Sequence, residues 1–254
     1  MKAAAFEHVR PKSLDEAISL LATDGRVLAG GQSLGPMLNL RLARPRRLVQ
    51  VDRLPELMGF ASDAGAVTIG ACVTHAAIAD GLAPDIGGNV LARVAANIAY
   101  RAVRNRGTIG GSLCHADPAA DWVTVLTALN ATVVLKGPDG ARAVPVAEFI
   151  TGAFRTVLST GEVLCAVRIP RQSANARWGY VKACRKPGDF AHAMAAVLLT
   201  TQTRRVVIGA LGGKPLLLEA EAASIEGAAE ALPAMDDVRR HMQLATVRRA
   251  LAEA

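Results

Sequence analysis

Apolar residues recur at Leu14, Ala17, Ile18 and Leu21, the spacing of one buried helix face, and Ser13 with Glu16 forms a capping box ahead of them. The spacing predicts a helix from 14 to about 22. Val27-Leu28-Ala29 reads as a short buried strand, Pro36 suits the first turn of a helix over 36–42, and Leu48 to Asp52 reads as a second strand. Further on, Val67 to Ala71 predicts a strand and Thr74 the cap of a short helix, while Val90, Leu91, Val94, Ala95 and Ile98 mark a longer one. Asp117-Pro118 reads as a cap followed by proline at the first helical position, with Trp122, Val125, Leu126 and Leu129 as the buried stripe. Strand 132–136 turns at Gly137-Pro138-Asp139-Gly140 into a return strand. Val163, Cys165, Val167 and Ile169 alternate with polar or small residues before Pro170, strands follow at about 178–184, 192–200 and 205–211, and helices are expected at 219–226 and 235–253.

Strands mixed with helices, then a run of strands closed by helices, predict an α+β chain. Ser159-Thr160-Gly161 and the polar run Arg171 to Arg177 interrupt the pattern, so a first domain over 1–160, with subdomains of about 1–54 and 55–160, and a second over 161–254 are expected. With 51% hydrophobic and 20% charged residues the 254-residue chain has the composition of a globular protein. No run approaches the ~20 apolar residues needed to span a bilayer, and Glu7 and His8 arrive before a signal-peptide apolar region could form. Cys72, Cys114, Cys165 and Cys184 contain no Cys-x-x-Cys pair, which favours buried reduced thiols over zinc or an iron–sulfur cluster and fits a cytoplasmic location.

The net charge of +7 is carried by grouped arginines, among them Arg101/Arg104/Arg106 and Arg239/Arg240. Nucleic-acid binding would interleave that charge with stacking platforms, yet aromatics are 4% of the chain and only Tyr100 falls in such a group. A solvated or subunit-facing surface is expected instead.

Ala29-Gly30-Gly31-Gln32-Ser33-Leu34 and Thr108-Ile109-Gly110-Gly111-Ser112-Leu113 share a plan: two glycines, a polar residue or two, then leucine. Paired glycines let backbone approach a ligand and expose consecutive amide donors. Neither segment is the Gly-x-Gly-x-x-Gly dinucleotide fingerprint or a P-loop. Each alone reads first as a tight strand-to-helix turn. Together, with Asp121 nine residues beyond the second, they read as two walls around one diphosphate.

Those two segments, with Ala116-Asp-Pro-Ala-Ala-Asp121 and Lys182-Ala-Cys-Arg-Lys-Pro-Gly-Asp-Phe-Ala191, resemble the signature of one family, the FAD-binding medium subunit of molybdenum hydroxylases, as in carbon monoxide dehydrogenase and the flavin domain of xanthine dehydrogenase. The resemblance implies a two-subdomain FAD-binding domain of the vanillyl-alcohol-oxidase/PCMH type and a smaller C-terminal domain of antiparallel sheet and helices. It further implies that Val27, Leu28, Ala29, Gly30, Gly31, Gln32, Ser33 and Leu34 wrap the diphosphate and that Thr108, Ile109, Gly110, Gly111 and Ser112 complete the cradle. By the same resemblance Asp121 binds a ribityl or ribose hydroxyl, Leu164 packs on a cofactor ring, Lys182 presents a cation, Ile98 lines the pocket and Phe190 closes over the isoalloxazine. Ser112 departs from the asparagine common in the family. Without the resemblance, Asp121 reads equally as a carboxylate complementing a helix start, Lys182 as a solvated strand residue, and Leu164 and Ile98 as core.

The implied activity is electron transfer: FAD would collect electrons from a [2Fe–2S] small subunit, themselves drawn from a molybdopterin-binding large subunit, and pass them to an external acceptor. No catalytic acid, base, nucleophile or metal ligand is expected of this chain. Two alternatives remain, a self-contained flavin oxidoreductase and a basic phosphate- or nucleic-acid-binding module.

Overall fold

The computed structural model describes residues 2–254. The chain opens with a small α/β unit: β1 (Glu7–Val9), α1 (Leu14–Leu21), β2 (Gly25–Leu28), α2 (Leu34–Asn39) and β3 (Arg47–Gln50). The three strands are parallel in the order β1-β3-β2. Half of the expected capping box forms, with Ser13 Oγ accepting from Glu16 N at 3.2 Å, while Glu16 Oε2 accepts from Lys12 N at 2.7 Å, one residue ahead of the Ser13 amide. Helix α1 then buries Leu14, Ala17, Ile18 and Leu21 in one cluster with Val49 and Val51, as its spacing required.

A larger unit follows, with β4 (Phe60–Ser62), β5 (Ala66–Gly70), α3 (His75–Ala79), α4 (Val90–Ala96), α5 (Arg101–Arg104), α6 (Ile109–His115) and α7 (Asp121–Ala128). It continues through β6 (Thr132–Gly137), β7 (Gly140–Pro145), α8 (Val146–Phe149), β8 (Ile150–Gly152), β9 (Arg155–Thr156) and β10 (Val163–Pro170). Strands β8 and β9 pair by themselves; the others make an antiparallel sheet in the order β4-β5-β10-β6-β7. Strand β10 is therefore its middle strand, pairing Val167 with Ile69 on one side and with Val133 on the other. The expected break at 160/161 is corrected by this pairing: the change of sheet falls after Pro170, in the polar stretch 171–176.

The remaining chain forms β11 (Arg177–Ala183), β12 (Ala193–Leu199), β13 (Arg204–Gly209), β14 (Leu216–Glu219), α9 (Ile225–Ala231) and α10 (Asp237–Glu253). The four strands make an antiparallel meander. Its two faces are both covered. Ala195, Val197, Val206 and Ile208 pack with Ala228, Val247 and Ala250 of α9 and α10, while Ala196 and Val207 join the central core with Trp122 and Leu126 of α7. Burial on both sides explains why β12 is apolar almost without interruption.

Three expected boundaries move. Residues 216–219, expected to lie before or inside a helix, form β14, and the helix begins only at Ile225. Helix α7 starts at Asp121, because Asp117 Oδ1 accepts from Ala119 N at 2.9 Å and spends itself in a turn. The second glycine pair lies inside the first turn of α6, where a loop was expected. Among the described residues no helix is long and apolar enough to cross a membrane.

Candidate functional site

The parallel strand β2 delivers the chain into Ala29-Gly30-Gly31, and Gly31 takes φ +72°, a left-handed conformation that favours glycine. Gly35 N donates to Gly31 O at 2.8 Å and Gln32 Nε2 to Gly30 O at 3.1 Å, which closes the turn. The backbone amides of Gly31, Gln32, Ser33 and Leu34 then meet no acceptor among the described residues. Consecutive free N–H groups running into a helix form a concave donor set suited to an anion's oxygens. The Leu28 and Leu34 side chains are half-buried and pack around Leu38, Ala43 and Leu48.

The first glycine pair, about 80 positions from the second in sequence, touches the chain just ahead of it, at Arg106 and Gly107. A Cβ on Gly30 would overlap the Arg106 carbonyl oxygen and lie 3.0 Å from Gly107 Cα. Only glycine permits that approach.

The second segment reaches it in a different way. His75 N donates to Gly107 O at 2.8 Å, Ile109 N to Val73 O at 3.1 Å and Gly110 N to Ala71 O at 2.9 Å. Thr108 caps α6, its Oγ1 accepting from Gly111 N at 3.0 Å and its carbonyl from Ser112 N at 3.0 Å. The amides of Ile109, Gly110, Gly111 and Ser112 are thus consumed internally, which corrects the expectation that this pair exposes donors. Gly110 is needed for packing: a Cβ there would lie 2.6 Å from Ala71 Cβ and 2.9 Å from Ala71 Cα. Ile109 is core, while Gly111 and Ser112 remain turned outward.

Beneath this contact His75 accepts a hydrogen bond at Nδ1 from Trp122 Nε1 at 3.1 Å. Burial, and secondarily Arg104, pushes the His75 imidazole down to about 4, so it is neutral at pH 7.

Next to Trp122, Asp121 sits in the first turn of α7 and is buried. Its Oδ1 accepts from Tyr180 Oη at 2.6 Å and from Lys182 Nζ at 2.9 Å, and Lys182 also donates to Asn97 O at 2.9 Å. The ion pair is nearly dry, each side chain being 7% exposed, so Lys182 is not the solvated strand residue its alternation allowed. Burial and the neighbouring Asp121 carboxylate hold the Tyr180 phenol well above its ordinary range, and it stays a donor. Tyr180 and Asn97 were not foreseen. The i, i+2 spacing of Tyr180 and Lys182 on one strand face was the available signal.

Ile98 lies where the two halves of this site close. It forms a parallel bridge with Gly188, and Arg104 Nη1 donates to the carbonyls of Ile98 at 2.9 Å and Ala99 at 2.7 Å. Gly188, at φ +83°, presses on Ala99: a Cβ would sit 2.6 Å from its carbonyl oxygen. Phe190 follows on the same loop, 62% exposed, and Leu164 is 4% exposed within the central core, which leaves it little side-chain surface for a ligand. Asn97, Lys182, Lys186 and Gly188 line a cleft of about 320 Å³. A second opening of about 550 Å³ runs beside Gly25, Arg26 and Val27 on β2, bounded across by Ser159 to Glu162.

The four cysteines are unpaired; Cys72 and Cys165 are buried, whereas Cys114 is exposed, against the expectation of buried thiols throughout. Among the described residues no group of three or more His, Cys, Asp or Glu side chains gathers as a metal site.

The sequence profile of the family described as FAD binding domain in molybdopterin dehydrogenase matches residues 4–172, two thirds of the chain. The chain belongs to this family. The matched span ends just after β10, where the sheet itself ends. Over 197 residues the chain is 40% identical to the carbon monoxide dehydrogenase medium chain of Hydrogenophaga pseudoflava, covering 76% of this chain and 69% of that one. It is 34% identical over 229 residues to the caffeine dehydrogenase subunit beta of Pseudomonas sp. (strain CBB1), 87% and 78% of the two chains. In three dimensions it matches the crystal structure of quinoline 2-oxidoreductase from Pseudomonas putida 86 with a TM-score of 0.90 at 34% identity, over 100% of this chain and 98% of that one. It is a FAD-binding subunit of the molybdenum hydroxylase dehydrogenases, an oxidoreductase component.

Proposed function

We propose that this chain is the electron-transfer flavoprotein of a three-component molybdenum hydroxylase, receiving electrons from a [2Fe–2S] small subunit, served in turn by a molybdopterin-binding large subunit, and releasing them to an external acceptor. The observation that carries the reading is the row of free amides from Gly31 to Leu34, held against Arg106-Gly107, just ahead of the second glycine segment, where only a residue without a side chain fits at Gly30. That donor set fits a diphosphate, and a cleft lined by Asn97, Lys182 and Gly188 adjoins the Asp121–Lys182 pair. FAD bound there supplies a centre that exchanges electrons singly or in pairs.

The residues of the chain bind and orient. The amides of Gly31, Gln32, Ser33 and Leu34 hold the diphosphate, with Val27 and Ala29 leading into the turn, and Gly111 and Ser112 form the opposite wall. Asp121 keeps Oδ2 for a ribityl or ribose hydroxyl while Oδ1 is held by Tyr180 and Lys182. Lys182 sets a compensated cation beside the cleft, and Ile98 and Phe190 exclude water from the ring end. Ile109 and Leu164 support these groups from the core, and Leu28 and Leu34 from its edge. No proton transfer by a side chain is required. The relatives named medium chain and subunit beta support a multi-chain assembly.

The test is the absorption of the purified chain after incubation with FAD and desalting. Bands at about 370 and 450 nm in one-to-one amount are expected of bound flavin, and a purified [2Fe–2S] partner in its reduced form should bleach them. A chain that stays colourless with FAD in excess would overturn the reading.

A further inference from the structure

Asp121 Oδ1 receives two hydrogen bonds from one strand, at 2.6 Å from Tyr180 Oη and at 2.9 Å from Lys182 Nζ, in a setting that is almost dry. Two donors on one oxygen fix the rotation of the carboxylate and leave the other oxygen, Oδ2, without a partner among the described residues. Lys182 has a further acceptor in Asn97 O and is anchored without Tyr180. Among the described residues the tyrosine's hydroxyl has Asp121 as its single acceptor, and its phenol, held well above its ordinary range, stays protonated. Its ring is placed independently, stacked on Trp178 with planes 7° apart. Ring and hydroxyl therefore do separable jobs.

We propose that Tyr180 is a positioning residue for the flavin: through its hydroxyl it clamps Asp121 so that Oδ2 is presented to a cofactor hydroxyl, and it shares the carboxylate's charge so that Lys182 is not fully neutralised. The proposal rests on the reading that Asp121 and Lys182 face bound FAD. A charge-assisted hydrogen bond is among the stronger ones. Without it Asp121 leans on Lys182 alone, which weakens the hold on the sugar and lowers the positive field available to the reduced, more negative flavin.

The experiment uses the full chain and FAD itself. Tyr180→Phe keeps the ring and removes only the oxygen; it is expected to raise the FAD Kd about tenfold, shift the flavin midpoint potential to more negative values, and leave the melting temperature of the FAD-free chain nearly unchanged. Trp178→Phe, which disturbs the stack without touching Asp121, is expected to lower that melting temperature with Kd and potential unaltered. In an Asp121→Ala background, where the hydroxyl has lost its acceptor, the Tyr180→Phe effect on Kd should vanish, since residues acting as one unit are non-additive. Equal Kd and potential in wild type and Tyr180→Phe would overturn the proposal, as would a Tyr180→Phe effect that persists unchanged in Asp121→Ala. If Asp121→Ala alone leaves Kd and potential untouched, the placement of Asp121 at the flavin fails and this inference falls with it. A loss at Asp121→Ala with none at Tyr180→Phe sinks the inference and spares the placement. Should Asp121→Ala not fold, the Tyr180→Phe potential decides alone.

Discussion

The two glycine pairs look alike on paper and behave differently in space. Gly30-Gly31 sits in a turn whose following amides are free, and its glycines allow one backbone to touch another and one left-handed residue to turn the chain. Gly110-Gly111 sits in a capped helix whose amides are all engaged, and its first glycine exists because Ala71 leaves no room for a methyl group. One pair presents donors. The other builds the wall that keeps them in place. A shared sequence plan can therefore encode two physical functions, and what separates them is the surroundings of the second pair: Val73 O and Ala71 O take the Ile109 and Gly110 amides, and the Thr108 hydroxyl takes that of Gly111.

The sharpest break of that comparison is Gly110→Val. It forces a side chain into Ala71 and should cost the fold about 3 kcal/mol, or roughly 10 °C in melting temperature for a chain of this size, measured on the FAD-free protein. Gly30→Ala should instead strike binding first, because the Arg106 carbonyl must retreat and the two segments part. A loss of about 3 kcal/mol corresponds to roughly a hundredfold in FAD Kd, read by flavin fluorescence titration. Equal losses of stability in both variants would erase the distinction drawn between the pairs.

Acid separates the regions more gently. His75, beneath Gly107, is held near 4 in the folded chain against about 6.5 when unfolded. The unfolded chain therefore takes the proton first, so the contribution is complete above the unfolded value and is lost as the pH falls towards 4. Urea unfolding at pH 7 and pH 5 should differ by on the order of 2 kcal/mol, and His75→Gln should flatten the slope. The smallest effect is Thr108→Ala, about 1 kcal/mol of lost cap, against Ser33→Ala, where the N-cap side chain makes no capping bond and a change within about 0.5 kcal/mol is expected.

Much of this was legible from local pattern. The capping box at Ser13, the hairpin glycines at 137 and 140 and the alternation through 163–169 each named an element correctly, because each is fixed by neighbours in sequence. Partnership was not legible. Alternation in β10 says strand without saying which sheet, and the boundary was misplaced for that reason. Leu216 to Glu219 carries too few residues to separate strand from helix by period, and Asp117 is as good a cap by type as Asp121 is by position. At the site, the free amides of the first pair could be anticipated from Gly-Gly-Gln-Ser. The engagement of Asp121 by Tyr180 and Lys182, some sixty positions away, is a tertiary event that no local window contains.

The central place of β10 has a consequence for how the protein is made. Ala66 to Gly70 waits for Ala166 to Pro170, about a hundred residues downstream, and until that stretch leaves the ribosome β5 and β6 lack the strand that lies between them. Pairings so distant in sequence close slowly. Expressing residues 1–160 alone would yield a sheet with a gap in its middle, and cutting after 172 would be the shortest fragment with a prospect of assembling, provided the face that α7 turns towards β12 and β13 tolerates water.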